Sequence, residues 1–119
     1  MHFDSHTHSF HSPDADSGAD IRKMALAARE LGLEYITLTD HCDCNFWLPE
    51  AECDYPEYQK QDSIMFGCRD YAKASIGEAI SLKEKHKSLL CGVELGQVLQ
   101  NKEAAQEILS IEGLDLVIG

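Results

Sequence analysis

Short β-rich apolar runs alternate with helical stripes along this chain. Leu33-Glu34-Tyr35-Ile36-Thr37-Leu38 is nearly continuous in apolar character, which suits a parallel strand covered on both faces. Leu89-Leu90-Cys91-Gly92-Val93-Glu94-Leu95 and Leu114-Asp115-Leu116-Val117-Ile118 predict two further strands. Residues 2–8 predict an opening strand that ends in a histidine pair. Between the first two strands, Ile21, Met24, Ala25, Ala28 and Leu31 recur at helical spacing and form one apolar stripe. Asp20 stands where a cap belongs, and Gly32 where a left-handed C-terminal residue belongs. A second helix is expected over Tyr71–Lys87, with Ala72, Ile76, Ala79 and Ile80 as its stripe and Gly77 as its weak point. A third follows Asn101, with Ala104, Ala105, Ile108, Leu109 and Ile111 as its apolar residues.

This alternation predicts an α/β fold with parallel strands and outer helices. Two segments fall outside it. Ser9–Ala19 is a polar, turn-rich loop with Pro13 and Gly18, and Asn45–Gly67 is a longer irregular stretch with Pro49, Pro56, Phe46, Trp47, Tyr55 and Tyr58. A loop that long commonly lines or covers a site. The chain has 119 residues, enough for one domain and too few for two ordinary ones. Its last strand has nothing after it to cover an apolar edge, a situation native sheets avoid. The expectation is therefore a single domain over 1–119, the N-terminal portion of a longer protein or one completed by a partner.

Composition narrows the function classes. Apolar residues make up 44 % and charged residues 26 %, with a formal net charge of -11. The acid excess argues against a nucleic-acid surface, because phosphate backbones attract clusters of Lys and Arg. No apolar run approaches the roughly 20 residues that span a bilayer. The start, Met-His-Phe-Asp, lacks a basic and apolar leader, so no membrane association and a cytoplasmic location are expected. The five cysteines, Cys42, Cys44, Cys53, Cys68 and Cys91, are odd in number and predict ordinary reduced thiols. Cys42-Asp43-Cys44 lacks the two-residue spacing of a structural zinc pair.

The candidate chemistry sits at the strand ends. Side chains alternate faces along a strand, so Asp4, His6 and His8 share one side. His41 closes the next run after Thr39 and Asp40, and Glu94 lies at the end of the third. Imidazole with carboxylate suits Zn²⁺, Mn²⁺ or Fe²⁺. Asp4 and Asp40 are candidates to orient ligand imidazoles, or serve as plain strand-end and turn residues.

Together Asp4-Ser5-His6-Thr7-His8, Ser12-Pro13-Asp14-Ala15, Ile36-Thr37-Leu38-Thr39-Asp40-His41 and Gly92-Val93-Glu94-Leu95-Gly96 resemble the polymerase-and-histidinol-phosphatase (PHP) family of metal-dependent phosphoesterases. The resemblance implies a distorted seven-stranded (β/α) barrel with two or three divalent metals at its C-terminal mouth. By position, His6 and His8 would bind a first metal, Asp14 would take the third ligand position and His41 another metal, with Glu94 as a bridge. Asp16 is the rival loop acid. His11 and His86 match no ligand position. His11 is expected near the mouth as a substrate contact, and His86 on a helix surface. The family's later His and Asp-x-His ligands would lie beyond Gly119.

The implied activity is hydrolysis of a small phosphate monoester. The Gly92–Gly96 run and the aromatic insertion after His41 are most similar to histidinol-phosphatases, which points to histidinol phosphate and histidine biosynthesis. Phe46 and Trp47, with Tyr55 and Tyr58, are candidates to stack on its cationic groups. The alternatives are a PHP-type nuclease or polymerase-associated domain, another phosphoesterase such as a protein-tyrosine phosphatase, and an inactive metal-binding fragment.

Overall fold

The computed structural model describes residues 2–12, 14–44 and 69–119. Strands β1 (Phe3–Thr7), β2 (Tyr35–Leu38), β3 (His41–Asp43), β4 (Leu89–Gly96) and β5 (Leu116–Ile118) form one sheet in which every pairing is parallel. Helices α1 (Ile21–Glu30), α2 (Arg69–Lys83) and α3 (Lys102–Leu109) connect them.

One strand was expected where β2 and β3 now stand. They are two halves of a single interrupted strand. Ile36 pairs with Leu89 and Leu38 with Cys91, and His41 then pairs with Glu94 at the same offset. Thr39 and Asp40 make the break. β5 pairs with the other edge of β4, with Gly92 opposite Leu116 and Glu94 opposite Ile118. The spatial order therefore follows the chain order, as in a singly wound (β/α) barrel. The open parallel sheet is a partial barrel of that kind.

The pleat sorts residues between two faces. Ile21, Ala25 and Ala28 of α1 pack with Ile36, Leu38 and Leu89. Ala72, Ile76 and Ala79 of α2, with Ala104, Ala105 and Ile108 of α3, pack with Cys42, Cys44, Cys91, Val93 and Leu95. Each fully buried isoleucine, Ile21, Ile76 and Ile108, contributes roughly 1.5–3 kcal/mol of transfer free energy. The alternate positions of the same strands, His41, Asp43, Gly92 and Glu94, are thereby turned to the opposite face.

The two caps are as expected. The Asp20 carboxylate accepts from Lys23 N and the Asn101 amide oxygen accepts from Ala104 N, and Gly32 has φ +74°. Five expectations are corrected. Leu31 leaves the stripe: it is the C-cap of α1 and 79 % exposed, while Leu33 packs on the core instead. Leu109 likewise ends α3 on the exposed side. The strand at residues 33–38 begins only at Tyr35, which is exposed rather than covered. Helix α2 stops at Lys83, four residues early, because Lys85 N and His86 N both bond to Leu82 O in a tight turn. Lys83 Nζ meanwhile ties that end to Gly113 O and Asp115. His86 thus lies half-buried in the turn before β4 and not on a helix surface. Among the described residues, no helix is long and apolar enough to cross a membrane.

Two glycines should respond oppositely to substitution. A Cβ on Gly92 would stand 2.9 Å from Leu38 O, Leu116 O and Thr39 Cγ2, all held by packed backbone or a buried side chain. Gly92→Ala is expected to lower stability by about 1–3 kcal/mol through overpacking. A Cβ on Gly77, inside α2, meets nothing within 4 Å, so Gly77→Ala is expected to raise stability by roughly 0.5–1 kcal/mol. Urea unfolding of both variants checks the pair.

Candidate metal centre

Five side chains converge above the sheet. His6 is held on β1, whose register on β2 shifts between Asp4 and Thr7. His8 follows the end of that strand. His41 opens β3 directly opposite Glu94 of β4. Asp14 is brought in by the loop between β1 and α1.

Glu94 Oε2 is the point of convergence. It lies 3.0 Å from His6 Nε2, 3.0 Å from His8 Nε2 and 3.3 Å from His41 Nδ1. The Nε2 atoms of His6 and His8 are 3.2 Å apart. The Asp14 carboxylate makes a second meeting point, 3.2 Å from His8 Nδ1 and 3.2 Å from His41 Nε2. Two groups of donor atoms result, His6/His8/Glu94 and His8/Asp14/His41, each within 4.8 Å of one another. His8 belongs to both, through different ring nitrogens. A neutral imidazole has one lone pair to give, so it can serve as ligand to one group only. Its other nitrogen then donates to the carboxylate of the second.

This donor set fits a divalent cation. Nitrogen and carboxylate oxygen are the atoms that Zn²⁺, Mn²⁺ and Fe²⁺ accept. Donors held tetrahedrally at about 2.0–2.2 Å from an ion stand about 3.3–3.6 Å from one another. The observed separations of 3.0 to 3.3 Å fall within a few tenths of that.

The electrostatics agree. Burial alone would raise the pKa of Glu94. The His6 hydrogen bond and the charges of His41, His6 and His8 outweigh it and hold the carboxyl below its ordinary range. Asp14 shows the same balance, with burial opposed and overcome by His41 and His8. Asp43 goes the other way. Burial raises it first, His41 offsets part of this, and the charges of Glu94 and Asp14 raise it further.

A cleft of about 410 Å³ opens beside the cluster, lined by His6, His8, Asp14, Ala15, Asp16 and Ala19. Asp16 thus stands on the cleft wall, its Oδ1 accepting from Gly18 N, and is no member of either donor group. His11, expected to face the mouth, is turned to α2: its Nε2 lies 2.7 Å from Glu78 Oε2, and its ring stacks 4.2 Å from that of Phe10. Phe46, Trp47, Tyr55 and Tyr58 lie outside the described residues.

The two second-layer candidates hold backbone and hydroxyl groups in place of imidazoles. Asp4 Oδ1 accepts from His6 N at 3.2 Å. Asp40, 1 % exposed, accepts from Ser9 N at 2.6 Å, Ser9 Oγ at 2.7 Å, Ser12 Oγ at 2.7 Å and Ser75 Oγ. Sequence reasoning did not find this buried cage, nor Asp43 beside the site. Serines in a turn-rich loop carry no mark of a shared partner. Asp43 could have been found by its alternation with His41 on one strand.

A family model described as the PHP domain matches residues 4–119. The chain belongs to the PHP family, whose members are in general metal-dependent hydrolytic phosphoesterases. No curated protein and no solved structure gives a significant match.

The carboxylate shifts set an acid limb. A carboxyl whose folded pKa is depressed contributes stability that is present above its unfolded value and lost as pH falls through the folded one. The ordinary values here are 3.8 for Asp14 and 4.5 for Glu94. Metal-free protein is expected to hold this contribution above those values and lose it on acidification below them. Urea unfolding over roughly pH 3–6 checks it, and Glu94→Gln should flatten the decline.

Proposed function

We propose that this protein hydrolyses small phosphate monoesters at the His6/His8/Asp14/His41/Glu94 cluster, using two or three divalent cations such as Zn²⁺, Mn²⁺ or Fe²⁺. The observation that carries the reading is the convergence of three imidazoles on one oxygen of Glu94. Bound cations would supply charge neutralisation for a phosphoryl group and Lewis acidity toward its oxygens.

The chain's own groups prepare that chemistry. Glu94 and Asp14, held below ordinary values that already lie well under neutral, are ionised at neutral pH, when they are needed as ligands. His6 and His41 offer nitrogen donors from strands β1 and β3. His8, shared between the two groups, gives one nitrogen to a cation and donates from the other to a carboxylate, which fixes its tautomer.

Histidinol phosphate is the preferred substrate in this reading, and histidine biosynthesis the setting. Its support is the likeness of the Gly92–Gly96 run and of the aromatic insertion after His41 to histidinol-phosphatases. Asp16 adds a carboxylate on the cleft wall, where a cationic amine would be received. The net charge of -11 disfavours a nucleic-acid strand as substrate.

The test is phosphate release from histidinol phosphate and from p-nitrophenyl phosphate, with Mn²⁺ or Zn²⁺ and with a chelator. Metal-dependent release is expected, abolished by the chelator. His6→Ala and Glu94→Ala should each lower turnover by more than the roughly 10–100-fold that loss of an outer-layer partner costs. Release from the generic ester alone would keep the hydrolase and discard the substrate. Tight metal binding without release from either ester would leave a metal-binding module and reject the hydrolase.

A further inference from the structure

Asp40 is a carboxylate with almost no access to water, and its bonds reach the loop of His8 and Asp14, the strand of Glu94 and helix α2. A carboxylate taken out of water is costly unless its lone pairs are filled. Three hydroxyls and one amide fill them here. Where these donors come from gives the group its meaning. Ser9 adjoins His8, and Ser12 lies two residues before Asp14. Ser12 Oγ, while donating to Asp40, also accepts from His41 N at 3.0 Å. Ser9 Oγ similarly accepts from His11 N at 3.2 Å. The backbone of Asp40 adds another tie, its carbonyl accepting from Glu94 N at 3.1 Å. Ser75 brings in α2, the helix that also meets His11 through Glu78.

A cap or turn aspartate would bond one or two neighbouring amides. Asp40 instead reaches 28 to 35 residues along the chain, to the loop on one side and the helix on the other. It touches no imidazole in the described residues, so its action on the ligands is through the backbone that carries them.

We propose that Asp40 is a positioning residue: through Ser9, Ser12 and Ser75 it clamps the loop bearing His8 and Asp14 onto the strands bearing His41 and Glu94, and so sets the affinity of the cluster for a divalent cation. This rests on the metal reading of the site given above. It adds that the affinity is set by a buried polar knot outside the ligand set, with Ser12 as the joint between loop and strand.

The test measures Mn²⁺ and Zn²⁺ dissociation constants with a competing chelator, on protein shown to be folded by circular dichroism. Asp40→Asn keeps the shape but turns an acceptor into a donor facing hydroxyls. Ser12→Ala removes the joint, and Ser12→Thr keeps its hydroxyl. Lys83→Ala breaks the ion pair with Asp115 at the far end of α2 and controls for general destabilisation. Asp40→Asn and Ser12→Ala are expected to weaken binding about 10–100-fold, with Ser12→Thr within about threefold of the parent and Lys83→Ala unchanged. If Asp40→Asn fails to fold, the two Ser12 variants decide.

Affinity for both ions within about twofold of the parent in Ser12→Ala would overturn the proposal. So would an equal loss in Lys83→Ala, which would make the effect one of stability alone. A parent protein that binds neither ion would overturn it together with the metal reading. A parent that binds ions and loses them in these variants, yet releases no phosphate, would sustain the clamp and reject only the hydrolase.

Discussion

The hydrogen-bonded register between β4 and the interrupted strand β2–β3 places the groups of the site. Pairing Ile36 with Leu89 at the lower end obliges His41 to face Glu94 at the upper end. The register is itself held by burial. Ile36, Leu38, Leu89, Cys91, Val93 and Leu95 go to the helices, and a slip by one residue would send that whole set to the wrong face. The apolar pattern therefore does more than stabilise the sheet: it fixes which polar residues the other face presents.

Strands and loop contribute differently to the cluster. His41 and Glu94 stand opposite each other on a ladder, where position follows from pairing, and His6 stands on β1 where its register shifts. His8 and Asp14 lie beyond it, on a segment that carries no helix or strand among the described residues. Such segments open more easily than the elements they connect. Here the loop is bound by internal bonds, Ser12 N to Ser9 O and Ala19 N to Asp16 O, and by its hydroxyls to Asp40. Gly92 meets a related demand on the sheet itself, since the carbonyls of Leu38 and Leu116 crowd the space a side chain would need.

Much of this was legible in the sequence because it rests on periodicity. The strands, the cap residues Asp20 and Asn101 and the turn at Gly32 follow from local pattern and stereochemistry. The convergence of His6, His8, His41 and Glu94 was legible for a narrower reason: histidines at alternate positions and acids at the ends of apolar runs point where the pleat points. The approach of Asp14 to His41 was not legible, since the loop could fold in many ways; the likeness to a family supplied Asp14 only as a third ligand position, with His41 on another metal. The break at Thr39–Asp40 was invisible because a β-rich run carries no sign of where pairing is interrupted. The exposed Leu31 shows a further limit. Helical spacing continues past the last turn on paper, whereas the backbone turns away.

Among the described residues, three thiols lie on or beside the strands that carry the candidate cluster. Cys42 adjoins His41, and Cys91 lies one position before the glycine that faces the cluster, yet both are buried on the helix side with Cys44. Burial, partly offset by Lys83 and reinforced by Asp115, pushes the Cys91 thiol up to about 11, so it stays protonated and unreactive. Among the described residues, the pleat thus keeps the thiols of Cys42, Cys44 and Cys91 behind the sheet and presents nitrogen and oxygen donors in front. A thiophilic ion such as copper(I) that reached the cluster would not find these three thiols among its donors.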